Sequence, residues 1–285
     1  MRILDTLHRA RPAFSFEFFP PSTLKGQERL LRTIEHLAEL DPAFVSVTYG
    51  AMGGTRTDTV DIAQRVRAQL GVEPVVHMTC RGHTREQITE TVSRMQAAGI
   101  ENVLALRGDP PEDKAVPAGD FEYASELVAY LRSGWPLCIG AACYPETHVE
   151  SPSAEDDLDK LKQKVDSGVD FLVTQLFFDN SKYFEFVQRA RAAAISVPIV
   201  PGIMPVTKLA QLDRFVTMCG ATVPAALRAR LDKWGDDEDA VQNLGIAWAV
   251  SQCRELLAGG APGIHFYTLN RSLATWTVCS ILQGP

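Results

Sequence analysis

The sequence predicts an α/β fold: one (β/α)8 TIM barrel domain over residues 1–285, with extra helices inserted before the last strand. Two observations carry this. Short β-like runs alternate with longer amphipathic stretches, the pattern of a parallel sheet whose crossovers are helices. Eight such runs occur with short connections, the number that closes a sheet into a barrel. A third observation weighs against an open doubly wound sheet, which usually carries a Gly-rich phosphate turn after a strand. The chain has neither G-x-G-x-x-G nor a Walker A motif, and the G-A-M-G-G run at 50–54 has the wrong spacing.

The strands are expected at 14–19, 44–50, 74–80, 102–108, 137–145, 171–178, 199–206 and 263–269. Helical spacing fills, among others, 27–40, 84–98 and 181–194. Thr84 followed by Gln87 is a capping-box pattern and marks a helix start; Ser153 followed by Asp156 does the same after the fifth strand. The interval 221–261 breaks the rhythm with two extra helical stretches, punctuated by Pro224 and the acidic run 236–239. They are expected to pack on the barrel as an insertion.

The net charge of -7 argues against a nucleic-acid partner, because a basic face supplies most of that affinity. Small anionic ligands need only a local positive patch. The cysteines are scattered, without a Cys-x-x-Cys pair, which suits a reducing compartment. Residues 1–14 lack the apolar segment of a signal peptide, and no run is long enough to cross a bilayer. A cytoplasmic protein acting on small molecules, with no membrane partner, is expected. The inserted helices offer a surface for a homo-oligomer.

Active sites of such barrels are built at the carboxyl ends of the strands. Those ends carry Glu17, Thr48 with Tyr49, His77 with Thr79, Arg107 with Asp109, Tyr144 with His148, Gln175, and Tyr267 with Arg271. Glu17 lies between Phe16, Phe18 and Phe19. Poor solvation there should raise its pKa, toward the value of roughly 6–7 that suits a general acid at neutral pH. The alternative is a buried Glu paired with an Arg. If Glu17 faces the barrel mouth, alternation turns Phe16 and Phe18 toward the helices. Asp109 precedes two prolines, so its loop should be stiff. It is either a fixed anion for a cofactor or cation, or a turn-forming Asp bonded to its own backbone.

Other chemistries fit less well. His77, Cys80 and His83 have a spacing that hints at a metal, but residues 77 and 80 point to opposite faces of a strand, so none is expected. No lysine lies inside a predicted strand, which disfavours Schiff-base chemistry, and no G-x-S-x-G elbow occurs. Lys160 and Lys164 share a helix face and could meet a pyrophosphate; a solvated face is the simpler reading for that segment alone.

Taken together, the strand ends resemble the methylenetetrahydrofolate reductase family in its bacterial short form. The matching motifs are F-S-F-E-F-F-P-P, F-V-S-V-T-Y-G, A-L-R-G-D, Y-P-E-x-H, T-Q-L-F-F-D, P-G-I-M-P-V and H-F-Y-T-L-N-R, in order over residues 14–282. The resemblance implies non-covalent FAD held at the strand ends without a Rossmann motif, and NADH or NADPH as reductant. It implies that Glu17 is the acid that helps the folate's five-membered ring open, that Asp109 sits beside the flavin ring, and that Thr48 lies near the reactive edge and the nicotinamide. It implies FAD contacts from His77, Arg107, Gly108, Asp109, Tyr123, Ala124, Tyr144, His148, Asp157 and Lys164. Glu17, Thr48, Gln175, Gln211, Phe215, Tyr267 and Arg271 fall at the positions shared by folate and NAD(P)H, and one shared site implies a ping-pong cycle. Cys143 is a small departure, standing where a residue such as Ala is expected. The regulatory extension of the longer eukaryotic forms is not expected. Two rivals are a flavin-independent pterin enzyme on the same barrel and a binding protein without catalysis. The first should lose the flavin set and the second Glu17; both are retained.

Overall fold

The computed structural model describes residues 1–8, 12–49, 56–108 and 119–284. The strands are β1 (Ala13–Phe18), β2 (Phe44–Val47), β3 (Pro74–Thr79), β4 (Asn102–Leu106), β5 (Cys138–Cys143), β6 (Phe171–Thr174), β7 (Ile199–Val200), β8 (Gly202–Ile203) and β9 (Gly263–Tyr267). All pair in parallel, in the order β7-β6-β5-β4-β3-β2-β1-β9-β8. The two ends of that order are halves of one pass, separated only by Pro201. β7 pairs with β6 and β8 pairs with β9, so the broken strand closes the ring as a (β/α)8 barrel. The single run expected at 199–206 is therefore split. Proline has no N–H to give a ladder, and the chain changes partners at that residue.

The helices are α1 (Ile3–Leu7), α2 (Leu24–Ala38), α3 (Arg56–Arg65), α4 (Arg85–Ala97), α5 (Ala124–Gly134), α6 (Ala154–Asp166), α7 (Asn180–Ala192), α8 (Leu209–Cys219), α9 (Ala225–Lys233), α10 (Glu238–Ala258) and α11 (Leu273–Gln283). A π-helical turn, Val66–Leu70, extends α3. The Thr84 capping box forms as expected: its Oγ1 accepts from Gln87 N–H, and Gln87 Oε1 accepts from Thr84 N–H at 3.1 Å. Ser153 likewise accepts from Asp156 N–H at 3.2 Å.

The insertion needs correcting. α10 is the barrel's own seventh helix, packed against α7 and α11. The additions are α8 and α9, and α8 begins before the interval 221–261. Together they form a satellite apolar cluster around Met204, Val206, Leu212, Leu227 and Leu231, beside the barrel mouth. α10 comes close because Gly245 has no side chain: a Cβ there would lie 1.9 Å from the Val206 carbonyl oxygen.

Alternation along the strands divides the molecule. Phe14, Phe16 and Phe18 join the large core between barrel and helices, and Phe16 stacks on Phe266 at 6.0 Å between ring centroids. The inward residues at the amino ends are apolar: Ala13, Phe44, Val75, Leu104, Cys138 and Phe171. Ile3 and Leu7 of α1 close that end. Asn102 pins α1, accepting from Ile3 N–H and donating to the Met1 carbonyl, each at 3.0 Å. Nothing in the periodicity had marked this helix. Among the described residues no helix is long and apolar enough to cross a membrane.

Candidate active site

The expected strands overrun the observed ones at their carboxyl ends. β2 stops at Val47, β4 at Leu106, β5 at Cys143 and β6 at Thr174. The released residues turn over the barrel and wall a cleft of about 1350 Å³. That exceeds the usual range of roughly 300–1,000 Å³ for one small ligand, so there is room for a dinucleotide and a second planar ring. Asp109 lies outside the described residues, as does Gly50 at the end of the second expected strand.

Glu17 sits at the centre, on the inward face of β1 and 9% exposed. Phe16 and Phe18 face the helices, as alternation required. The neighbours of Glu17 are two imidazoles. His77 Nε2 and His265 Nε2 each lie 3.5 Å from its Oε2. His265 is held from behind: its Nδ1 is 2.8 Å from Ser15 Oγ, and its Nε2 is 3.4 Å from Ser46 Oγ. Inward residues two apart on β1, β2 and β9 thus bring one buried polar thread beneath the carboxylate.

This corrects the expected electrostatics. Burial is the largest influence on Glu17 and pushes its pKa up. The contact with His265 and the charges of His77 and His265 oppose it, and the net direction is below the usual 4.5. The aromatic setting was read correctly, but the imidazoles from β3 and β9 were not placed beside it. Burial also holds His77 down at about 4, so this ring is neutral at neutral pH. Among the described residues, His77 Nε2 and Thr48 Oγ1 are buried without a hydrogen-bond partner. Both residues line the cleft. Buried polar atoms are nearly always paired, so two orphans in one wall mark where a ligand's polar groups belong.

One side of the cleft gathers most of the residues expected to hold FAD. Arg107 donates to Glu150 Oε2 at 2.6 Å. Gly108 has φ +80° and passes close to Thr79, where a Cβ would come within 2.9 Å of Thr79 Cβ. Tyr123 and Ala124 lie at the start of α5 on the same wall. Tyr144 packs edge-on to His148 at 4.6 Å. Burial pushes the Tyr144 phenol up to about 12 and lowers His148. Asp157 shapes this loop, accepting from His148 N–H at 3.2 Å and Ser151 Oγ at 3.3 Å. Lys160 and Lys164 part company. Lys160 pairs with Asp156 at 2.7 Å, whereas Lys164 turns inward and donates to the Ala142 carbonyl at 2.6 Å. Burial lowers the Lys164 pKa.

The opposite side carries Gln175, Phe215 and Tyr267. Gln175 Oε1 accepts from Leu176 N–H at 2.8 Å, and Tyr267 Oη donates to the Thr174 carbonyl at 2.6 Å. Phe215, Met218 and Cys219 of α8 overhang the opening. The Glu146 carboxylate accepts from Thr222 N–H at 3.1 Å and ties the end of α8 to the loop after β5. Two expected residues stand apart. Gln211 accepts from Thr207 Oγ1 at 3.0 Å and does not line the main cleft. Arg271 lines a small adjoining recess that shares Tyr267 and Leu269 with the cleft.

Sequence reasoning missed Ser15, Ser46 and His265. A signal was available: Ser15 precedes Glu17, and His265 precedes Tyr267, by one strand period of two. Arg81 and Glu150 were missed because they sit on loops past the strand ends.

A family model described as methylenetetrahydrofolate reductase matches residues 2–283. The 5,10-methylenetetrahydrofolate reductase of Pectobacterium carotovorum subsp. carotovorum is 39% identical over 268 residues, covering 94% of this chain and 89% of that protein. Its counterpart from Escherichia coli (strain K12) is 38% identical, covering 94% and 90%. Methylenetetrahydrofolate reductase (NADH) 1 of Arabidopsis thaliana is 39% identical and covers 95% of this chain but 49% of its own length. The chain therefore spans about half the length of such plant relatives. Among solved structures, a Clostridium thermocellum protein that binds two copies of 5-methyl-5,6,7,8-tetrahydrofolic acid superimposes with a TM-score of 0.69 at 14% identity, covering 98% of this chain and 96% of its own. That likeness speaks for the fold.

Proposed function

Since the chain belongs to the methylenetetrahydrofolate reductase family, we propose that it reduces 5,10-methylenetetrahydrofolate to 5-methyltetrahydrofolate, with NADH or NADPH as reductant and FAD as a resident, non-covalent cofactor. The product would supply methyl groups for methionine synthesis. The observation that carries the reading is Glu17: a carboxylate at the floor of the cleft, between two imidazoles, beside the unpartnered Thr48 hydroxyl.

The residues present fit a flavin dinucleotide. The orphaned Thr48 Oγ1 and His77 Nε2 offer polar contacts to a heteroaromatic ring. Tyr144 and His148 form an aromatic wall, and Arg107 and Lys164 bring positive charge to the same side. Bound FAD would carry hydride from the nicotinamide to the folate. Asp109 is assigned, from the resemblance, to the edge of the flavin ring.

The chain's own part in the chemistry is to hold a proton and orient two ligands. Glu17 is ionised at neutral pH in the open cleft, because its folded pKa lies below 4.5. A folate over the cleft would exclude water and add to desolvation, already the largest influence on this group, so Glu17 takes up a proton as the substrate seats. It then gives that proton to the folate as the five-membered ring opens. Phe215 faces the opening and can stack on a pterin or nicotinamide ring. Arg271, in the adjoining recess, is suited to the anionic glutamate end of the folate. Because Glu17, Thr48, Gln175 and Phe215 surround one opening, the two substrates use it in turn, which is a ping-pong cycle.

The test is the visible spectrum of the purified protein, followed by anaerobic half-reactions. A flavin spectrum should bleach with NADH and recover on adding methylenetetrahydrofolate. A colourless protein that takes up no added FAD would overturn the flavin mechanism and leave a flavin-independent pterin enzyme.

A further inference from the structure

The wall above β3 and β4 holds a cation that the residues so far assigned to the cofactor do not include. Past Thr79 the ladder ends and two further backbone bonds join the segments: Cys80 N–H donates to the Leu106 carbonyl and Arg81 N–H to the Arg107 carbonyl, each at 3.0 Å. Arg81 and Arg107 are thus neighbours on adjacent chain segments, and both line the cleft. The loop after Arg81 is fixed to the approach of α5. Asp120 N–H donates to the His83 carbonyl at 2.9 Å, and Asp120 Oδ2 accepts from Arg85 N–H at 2.8 Å. The first turn of α5, with Ala124 and Ser125, therefore lies on the same wall. The Glu122 and Tyr123 N–H groups are taken by the Glu126 carboxylate at 2.7 and 3.2 Å, which leaves the remaining leading N–H groups of this turn to favour an anion.

The charges on this wall are unevenly committed. Arg107 is paired with Glu150, Lys160 with Asp156, and Lys164 is spent on the Ala142 carbonyl. Arg81 is partly buried, and among the described residues its guanidinium has no hydrogen bond or ion pair. A diphosphate brings two negative charges; Glu150, bonded to Arg107 and within electrostatic reach of Arg81, offsets one of the two positive charges and leaves the pair one net positive charge.

We propose that Arg81 is a cofactor-specificity residue. It is the second guanidinium beside Arg107, and it binds the diphosphate of a dinucleotide laid across the ends of β3 and β4 and the first turn of α5. The proposal rests on the flavin reading above and extends it to a residue outside the set that the resemblance supplied. A guanidinium suits this task because its planar fork matches two phosphate oxygens at once.

The test compares dissociation constants of flavin-free protein for FAD, for riboflavin, which has no phosphate, and for ADP, which has the diphosphate without the flavin. Arg81→Gln should weaken FAD and ADP about ten-fold, the size of one lost charge-assisted hydrogen-bonding group, and should leave riboflavin within about two-fold. Arg81→Lys, which keeps the charge but not the fork, should fall between. Unchanged FAD and ADP binding in Arg81→Gln would overturn the assignment. So would an equal loss for riboflavin, which would report general damage to the cleft. A wild-type protein that binds ADP through Arg81 but takes up no flavin would keep this site and overturn the flavin reading. One that binds none of the three would overturn both.

Discussion

The two ends of the barrel interior are built from the same strands, four residues apart. Along β1 the inward series runs Ala13, Ser15, Glu17; along β2 it runs Phe44, Ser46, Thr48; along β3 it runs Val75, His77, Thr79. A step of two residues advances roughly 6.6 Å. Over that distance the interior changes from a closed apolar plug to a polar thread under an open cleft. The base has one task, to stay closed, and every inward side chain there is apolar or, like Asn102, fully engaged in hydrogen bonds. The mouth leaves groups without a hydrogen bond: Thr48 Oγ1 has no such partner among the described residues, and neither has His77 Nε2, which meets the Glu17 carboxylate at 3.5 Å. At the mouth, unlike the base, this unsatisfied polarity faces a cleft where a ligand can satisfy it.

The sharpest test of this contrast is Glu17→Gln. The folate half-reaction should slow by roughly 10²–10⁴-fold, the usual worth of a general acid. Flavin reduction by NADH should stay within a few-fold of wild type, and unfolding in urea should show no loss of stability. Equal slowing of both half-reactions in stopped-flow would remove the acid role.

The reverse pattern belongs to the base. Phe44 is 1% exposed, meets Phe171 and stacks on His265 at 5.6 Å. Phe44→Ala should cost about 3–5 kcal/mol in chemical denaturation. A cost below about 1 kcal/mol would mean that the base is not the core it is taken for.

Acid titration probes the buried polar groups of the mouth, which the apolar base lacks. Unfolded His77 titrates near 6.5 and folded His77 near 4, so between these values the unfolded state takes up a proton that the folded state refuses. Stability should fall as pH drops through that window, by on the order of 3 kcal/mol. Glu17 acts in the same direction but only below 4.5, because its folded pKa is depressed. His77→Asn should flatten the upper part of the curve, and a curve unchanged by that substitution would show that His77 is not the group responsible.

The smallest effect is expected from Ser15→Ala. It removes the partner of His265 Nδ1 and should cost about 0.5–1.5 kcal/mol of stability. The pH dependence of the folate half-reaction should shift as well, because His265 then faces Glu17 without its anchor. A loss of stability with an unmoved pH profile would make Ser15 a packing residue only.

Much of this site was legible in the sequence. That Phe16 and Phe18 turn away from the face that carries Glu17 followed from alternation, and the helix starts at Thr84 and Ser153 followed from local capping chemistry. Both depend on neighbours within a few residues. The fold class followed from the repeated strand–helix rhythm, which needs no knowledge of which residues touch. The break at Pro201 was also written in the sequence, although the strand pattern on either side concealed it.

Other features were decided only when distant segments met. The direction of the Glu17 pKa depends on His77 and His265, which come from strands 60 and 248 residues further along the chain. Burial alone would push the carboxyl up, and it is the barrel's closure that brings the opposing imidazoles. Lys160 and Lys164, alike on a helix face, differ because one meets Asp156 and the other a backbone carbonyl of β5. The role of α10 as the seventh barrel helix depends on Gly245 meeting Val206. Periodicity determines which way a side chain points along its own element. What stands opposite it, and therefore its charge, its partners and its chemistry, is decided by the tertiary structure.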